Sequence, residues 1–391
     1  MNILIISQVF PPKKGGVQTV SYNTAKFLSK FGHNVVVVTS KWGEEQRKKH
    51  KMDGFLVYRF KQFNPPELGG ITQVSSLRIM PKAIWKLPKI IRKHKIQVIH
   101  AQGQLFPISW ISTILNKLIF KRSMFITVQG RLEVGISSII ENIFDRLITK
   151  LIYEKFLRKI ICVSDSLKNR LIRLKIKKDN LITIPNGVDI SEFVKKPNSK
   201  FLDKYLNGKK DCKKVVFVGR LDVQKGVEYL IRAIPKVISN FKKVHFFILG
   251  NGNLEIKLKK LVKELNIQNF VTFIDFIPLE KMPEFYSSAD IFCLPSIHEG
   301  FPLTIAESLS IGLIIVASAI EGVPEAIVEG KNGFLVKPKD VDDLTRKLIK
   351  SLNLTNEEIQ RMQANNINLS KAKYSWEKIV KDIEDLYKKY A

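Results

Sequence analysis

The chain contains no run of about 20 consecutive apolar residues, so no transmembrane helix is expected. It has three cysteines in 391 residues, Cys162, Cys212 and Cys293. They are isolated, with neither metal-ligand spacing nor a disulfide framework, which points to a reducing cytosol. No Asp-x-Asp follows a strand-like run, and no His/Cys/Asp cluster has metal spacing; Asp340 and Asp342 open what reads as a surface helix. Neither a metal nor a cofactor is therefore expected. No repeat of fixed period occurs. The opening residues 1–7 are too short for a signal peptide, lack a basic first segment, and read as a first buried strand.

Acidic residues are scarce, 36 Asp/Glu against 65 Lys/Arg, for a net charge of +29. The imbalance is concentrated at the front. Residues 1–190 carry 33 Lys/Arg against 11 Asp/Glu, and residues 191–391 carry 32 against 25. A cationic first half calls for an anionic partner: a membrane surface, a polyanionic glycan or nucleic acid. Lys-rich usage across the whole surface is the plainer account, but it does not explain the asymmetry. Residues 78–93 and 105–122 mix apolar and cationic side chains at helical spacing, with Trp85 and Trp110 among them. Such pieces either lie on an anionic bilayer or pack on a sheet with their lysines outward.

With 45% hydrophobic residues, the chain is long enough for two domains, each with its own core. Strand-like runs at 3–7, 34–39, 55–60, 98–100, 125–128 and 159–163 alternate with helical patterns at 16–31, 84–94 and 137–157. A polar, Lys-rich stretch at 190–214 follows the turn Pro185-Asn186-Gly187-Val188-Asp189. A second alternating series then begins, with strands expected at 214–219, 244–249, 271–274, 291–294, 313–317, 320–325 and 333–336. Helices are expected at 227–238, 254–265, 280–287, 340–352, 356–371 and 375–390. This alternation predicts doubly wound parallel α/β sheets, whose ligands bind outside the carboxyl ends of the strands.

Four of these strand ends hold groups that can carry chemistry. After the first strand, Pro11 and Pro12 stiffen the chain and Gly15 and Gly16 open a helix, where backbone can approach an anion. A Pro/Gly turn can equally be only a turn. His100, Gln102, Gln129 and Arg131 follow two further strands in the same way. After the strand at 214–219, Gly219 and Gly226 frame Arg220 and Lys225. Two cations at one strand end suit a departing diphosphate, with guanidinium binding two oxygens and ammonium acting as a point charge. The alternative is two solvated cations among 65.

The stretch Pro295-Ser296-Ile297-His298-Glu299-Gly300-Phe301-Pro302-Leu303 then leads into a helix bearing Glu307. Backbone N–H groups at that helix start suit a phosphate, and Pro302 fits the first helical turn. Glu307 would accept both hydroxyls of a ribose, and Glu299 the hydroxyls of a sugar. The same pair could instead be a glycosidase acid and nucleophile, but its cationic α/β surroundings argue for hydroxyl binding.

Taken together, Phe217-Val218-Gly219-Arg220-Leu221 with Lys225-Gly226, the Pro185–Asp189 turn, and Pro295-Ser296-x-x-Glu299-Gly300-Phe301-Pro302 with Glu307 resemble the group-one retaining glycosyltransferases of GT-B fold. Ala289-Asp290-Ile291, Gly322-Val323-Pro324-Glu325 and Gly330-Lys331-Asn332-Gly333-Phe334 resemble later motifs of the same family, in the same order. The resemblance covers nearly the whole chain and is strongest from 185 to 340.

It implies two facing Rossmann-like domains with a deep cleft between them. Residues 1–190 would bind the acceptor, 191–374 the nucleotide sugar, and 375–391 would cross back to the first domain. By the same resemblance Arg220, Lys225 and Glu299 are the catalytic set. Gly15, Gly16, Gln129, Gly300, Phe301, Pro302, Leu303 and Glu307 contact the donor. The reaction would be metal-independent transfer of a hexose, with retention, from a UDP- or GDP-sugar to a glycan or lipid-linked acceptor. The protein would be cytoplasmic and peripheral on the inner face of the cell membrane, with an anionic membrane surface as a further partner and no nucleic acid. The leaving phosphate oxygen would take the acceptor proton, and no protein base is assigned.

Two positions depart from the family. Gln129 stands where a histidine is common, which removes a titrating group. Asp275 stands where a glycine is common, near the base, which leaves the choice of base open. Rival readings are a nucleotide-sugar epimerase or a phosphorylase of similar fold, and a non-catalytic basic module for membrane or nucleic acid. Nothing specific supports a pyridoxal-phosphate lysine, as a phosphorylase would need, and the intact Arg220, Lys225, Glu299 and Glu307 set argues against a dead pocket.

Overall fold

Residues 3–6, Ile-Leu-Ile-Ile, are apolar on both faces, the pattern of a parallel strand covered by helices on both sides. The computed structural model describes residues 1–13, 15–43, 47–63, 78–130, 146–194, 196, 199–206 and 211–391. Its chain divides into two compact units, Met1–Asn186 with Trp376–Ala391, and Gly187–Ser375. The change of unit at Asn186 falls inside the Pro185–Asp189 turn.

The first unit is built on β1 (Asn2–Ser7), β2 (Asn34–Ser40), β3 (Lys49–Met52), β4 (Phe55–Phe60), β5 (Val98–Gln102), β6 (Ser123–Val128), β7 (Lys159–Cys162) and β8 (Leu181–Thr183), with helices α1 (Gly16–Lys30), α2 (Pro81–Lys93), α3 (Pro107–Leu115) and α4 (Asp165–Arg173). The sheet order is β3-β4-β2-β1-β5-β6-β7-β8, parallel except for β3 against β4. Two strands go beyond the sequence reading. The edge strand β3 is Lys-His-Lys-Met, too polar to read as buried. The signal for it lies in the turn: Asp53 and Gly54 both take positive φ, 43° and 86°, as a two-residue hairpin requires. Strand β8 has only three residues. The expected helix at 137–157 lies outside the described residues at 137–145; from 146 to 156 the chain is helical, including Thr149–Tyr153 and Glu154–Phe156.

The second unit holds β9 (Lys213–Val218), β10 (Val244–Leu249), β11 (Val271–Ile274), β12 (Ile291–Leu294), β13 (Ile314–Ser318) and β14 (Gly333–Val336). Its helices are α5 (Val227–Asn240), α6 (Glu255–Glu264), α7 (Met282–Ser287), α8 (Leu303–Ile311), α9 (Val341–Leu352) and α10 (Asn356–Leu369). All six strands are parallel, in the order β11-β10-β9-β12-β13-β14. This is the doubly wound order, with its reversal between β9 and β12. The strand expected at 320–325 is not one. Pro324 has no N–H to give a ladder, Glu321 takes φ 40°, and the chain turns through a short 3₁₀ segment, Val323–Glu325. Cys162 and Cys293 are buried free thiols, and burial pushes Cys162 up to about 12, so both serve as small core residues.

The final helix α11 (Trp376–Tyr390) belongs to the first unit. It buries Trp376, Ile379, Val380, Ile383, Leu386 and Tyr387, at spacings of three and four that make one apolar stripe. Glu384 on the same helix pairs with Lys381 at 2.6 Å, Lys388 at 2.7 Å and His33 at 2.9 Å, and these partners, Lys381 foremost, hold its carboxyl down at about 2. Tyr387 packs its ring 5.0 Å from Phe125 and sets its hydroxyl 2.5 Å from Nδ1 of His100. Its loss therefore removes both core volume and a buried hydrogen bond. Tyr387→Ala is expected to destabilise the first unit by roughly 3–5 kcal/mol and Tyr387→Phe by about 1 kcal/mol, read as shifts of the urea denaturation midpoint.

Candidate active site

In a doubly wound sheet the crevice opens where the strand order reverses. In the second unit that point lies between β9 and β12, which pair through Ile291 with Val215 and Phe292 with Val216. The two loops leaving these strands are the ones that carry Arg220, Lys225 and Glu299. They are tied together at several points. Lys225 Nζ donates to Glu299 Oε1 at 2.6 Å, Gln224 Nε2 donates to the His298 carbonyl at 3.0 Å, and Ile297 N donates to the Gln224 carbonyl at 2.7 Å. Gly226 makes this approach feasible: its φ is +63°, and a Cβ there would lie 2.1 Å from the Pro295 carbonyl oxygen.

Each loop is also fixed internally. Asp222 caps the short turn Val223–Lys225 by accepting from Lys225 N at 3.1 Å, and its other oxygen lies 3.2 Å from Arg220 Nη2. Ser296 Oγ donates to Glu299 Oε1 at 2.8 Å, and the Glu299 backbone N–H donates to the Glu321 carboxylate at 2.8 Å. Glu299 is buried and the Lys225 side chain nearly so, whereas the Arg220 side chain is 56% exposed. Lys225 and Glu299 thus neutralise each other, and Arg220 reaches toward solvent.

Gly300 and Phe301 lead to α8. Pro302 stands just before the helix in extended conformation, φ −73° and ψ 126°, rather than in its first turn. The first helical N–H groups have no intrahelical acceptor, so α8 offers backbone donors from Leu303 onward; Pro302 has no N–H to give. The Phe301 ring is buried and stacks on Tyr374, centroids 4.9 Å apart, so this residue can offer a ligand only its backbone. One turn into α8, Glu307 accepts from the Tyr286 hydroxyl at 2.8 Å through Oε2. Glu307 is half-buried, and desolvation raises its carboxyl to about 7 against the opposing pull of the Tyr286 hydrogen bond.

The first unit gathers a different chemistry. Gly15 precedes α1 with φ +148°, and open space surrounds the Cβ position of Gly16. Beyond β6, Gln129 Nε2 donates to Gln102 Oε1 at 3.3 Å, and Gln129 Oε1 accepts from Asn186 at 3.2 Å. Gln104 donates to the Gly130 carbonyl at 2.6 Å. His100 is fully buried between Thr127, 2.7 Å away, and Tyr387; burial drops it to about 3, so it is neutral and structural. Arg131 lies outside the described residues.

A family model described as glycosyl transferases group 1 matches residues 199–369, and one described as glycosyltransferase family 4 matches residues 14–192. This chain belongs to the group 1 glycosyltransferases. Curated relatives include the GPI3 subunit of phosphatidylinositol N-acetylglucosaminyltransferase from Saccharomyces cerevisiae, 24% identical over 99% of this chain and 82% of its own. An uncharacterised glycosyltransferase of Methanocaldococcus jannaschii is 27% identical over 99% and 98%. Among solved structures, sucrose-phosphate synthase from Thermosynechococcus elongatus superposes with a TM-score of 0.84 at 20% identity, covering 100% of this chain and 99% of its own. Anabaena HepE in complex with UDP-glucose gives 0.79 at 19%, covering 100% of both. These neighbours fix the fold as GT-B.

Several residues that shape this candidate site were not singled out from sequence: Asp222, Gln224, Ser296, Glu321 and Tyr286. Asp222 stands three residues before Lys225 and Ser296 three before Glu299, spacings that fit a side chain folding back on its own loop. Glu321 and Tyr286 come from other elements and carry no local signal.

Removing one member of the Lys225–Glu299 pair strands a buried charge. Lys225→Ala is expected to cost about 2 kcal/mol or more. Lys225→Ala with Glu299→Gln should cost less than Lys225→Ala alone, a coupling read from a double-mutant cycle by chemical denaturation.

Proposed function

We propose that the protein transfers a hexose, with retention and without a metal, from a nucleoside-diphosphate sugar to a glycan or lipid-linked acceptor. The observation that carries this reading is the tie between the β9 and β12 loops, where Lys225, Arg220 and Glu299 converge at the sheet's reversal beside the start of α8. Arg220 and Lys225 would take the diphosphate, with backbone N–H groups of Gly300, Phe301 and Leu303 meeting phosphate or sugar oxygens and the Pro302 carbonyl open only to a sugar hydroxyl. Glu299 would accept sugar hydroxyls and Glu307 those of the ribose. Gly15, Gly16 and Gln129 would complete the donor contacts. A uracil base is favoured over guanine by the solved neighbour that holds UDP-glucose.

Donor binding then exchanges partners. Lys225 turns from Glu299 to a phosphate oxygen, which frees Oε1 of Glu299 for a hydroxyl. As the bond from the anomeric carbon to phosphate breaks, the two cations meet the charge growing on the leaving group. The acceptor oxygen forms its bond on the same face, and its proton passes to the departing phosphate oxygen. Positioned charge supplies the catalysis, with no protein base required.

A lipid-linked acceptor is supported by the relatives named for phosphatidylinositol and by the surface of the first unit. Trp85 on α2 is 85% exposed and lies among exposed Lys82, Lys86, Lys89, Arg92 and Lys93. Leu118, Ile119, Leu147 and Leu151, all exposed, lie on or beside the turns packed against α3. Aromatic and aliphatic tips among lysines suit the interface of an anionic bilayer on the cytoplasmic side. No described helix is long and apolar enough to cross a membrane.

UDP, with GDP for comparison, is expected to raise the melting temperature in EDTA, and UDP-sugars to be hydrolysed slowly. Lys225→Ala and Glu307→Ala should abolish both effects. Silence toward every nucleotide, together with tight salt-sensitive DNA binding, would rule the transferase reading out. In a separate assay, phosphatidylglycerol-containing vesicles should pellet the protein at low salt. Trp85→Ala should reduce the pelleted fraction several-fold; unchanged pelleting removes α2 from the contact.

A further inference from the structure

Tyr286 has no place in the donor contacts described above, yet it is one of the most completely buried side chains of the second unit. It sits on α7, and its ring is held by Phe193, Phe285 and Phe292, with centroids 6.3, 5.7 and 6.0 Å away. Aromatic packing on three sides leaves the ring little freedom, so the position of its hydroxyl is set by the core. That hydroxyl reaches a single carboxylate oxygen, Oε2 of Glu307, at 2.8 Å.

We infer that Tyr286 is a positioning residue for donor binding: its hydroxyl holds Oε2 of Glu307 so that Oε1 is presented to the ribose hydroxyls of the nucleotide. The inference rests on the donor reading given above. A glutamate side chain has three rotatable bonds, and a buried donor that fixes one oxygen removes most of that freedom before the ligand arrives. The phenol is itself kept protonated by burial and by the adjoining carboxylate, so it remains a donor across the working range.

The same contact sets when Glu307 is ionised. Burial pushes the carboxyl up and the Tyr286 hydrogen bond pulls it back, to about 7. No other described side chain acts on it. Strand β13 brings no titratable group. Glu284 of α7 pairs with Lys281 at 2.9 Å. Neither Glu357, Glu358 and Arg361 of α10 nor Lys371, Lys373 and Tyr374 of the following turn contribute. A ribose diol donates two hydrogen bonds, so it prefers the ionised carboxylate, and nucleotide affinity should rise as pH passes upward through about 7. Without the Tyr286 hydroxyl, ionisation is harder and the rise moves to higher pH.

The test is UDP binding by calorimetry to the full chain from pH 5.5 to 9, for wild type, Tyr286→Phe and Glu307→Gln, with steady-state UDP-sugar hydrolysis alongside. Wild-type affinity should increase about tenfold across the range. Tyr286→Phe keeps the ring and its packing. It should shift the midpoint upward by about one pH unit, raise KM at pH 7 and leave kcat nearly unchanged. Glu307→Gln should bind weakly and without pH dependence, and it serves as the folded control if Tyr286→Phe is unstable. A wild-type profile flat in pH, or a Tyr286→Phe profile superimposable on wild type, overturns the inference while leaving the donor reading intact. Absence of any UDP or GDP binding in wild type overturns the donor reading and this inference with it.

Discussion

The second unit depends on one ion pair placed where its sheet changes direction. Parallel strands β9 and β12 send their following helices to opposite faces, so the loops leaving them part and open a crevice. Something must hold those loops at a fixed separation, and the 2.6 Å contact of Lys225 with Glu299 does so, assisted by Gln224 and permitted by Gly226. A buried ion pair is a weak source of stability because desolvation offsets most of its Coulomb gain. Its value here lies in what it can be exchanged for. In the proposed reaction a phosphate oxygen would replace the carboxylate against Lys225, while a sugar hydroxyl and the Ser296 hydroxyl would keep Glu299 hydrogen-bonded.

Glu307 follows the opposite logic. It is half-buried, a tyrosine is its only titratable partner among the described residues, and its ionisation is delayed to about 7. A raised acid favours the folded state below its unfolded pKa and loses that contribution as pH rises through the folded value. Near neutrality the empty fold therefore carries a partly ionised, poorly solvated group. Two donated hydroxyls would relieve that strain, which couples ligand binding to stability at this position. Helix α8 thus has a backbone start ready for oxygen ligands and, one turn later, a side chain that needs them.

The sequence reading reached the sheets because parallel strands covered on both sides are apolar throughout, as at 3–6 and 244–249. It reached Arg220, Lys225, Glu299 and Glu307 because charged residues next to strand ends and glycines stand out locally. It missed β3 because charge on an edge strand hides the pattern, and it took 320–325 for a strand because Ile320 and Val323 outweighed Pro324. Tyr286 and Glu321 were out of reach for a deeper reason. Their partners lie 21 and 22 residues away, on elements brought together only by the fold. In sequence Tyr286 is one of two adjacent aromatics in a short helix, and nothing local separates a core ring from one whose hydroxyl has a task.

The strand ends of the two units differ in a way that bears on their work. Those of the second unit present charge: Arg220, Lys225, Glu299, Glu307 and Glu321. Those of the first present neutral amides, with Gln102, Gln104, Gln129 and Asn186 joined in one hydrogen-bonded set above a neutral His100. An amide both donates and accepts, so it can meet a hydroxyl in either sense, but it cannot neutralise a phosphate or take up a proton. A glutamine at position 129 keeps the hydroxyl-binding capacity of a histidine and gives up its titration. In the proposed reaction, charge for a departing diphosphate would come from Arg220 and Lys225, and the acceptor's proton would leave with the phosphate. The substitution that looks like a loss in the first unit is consistent with a reaction whose proton transfer is completed between the two substrates.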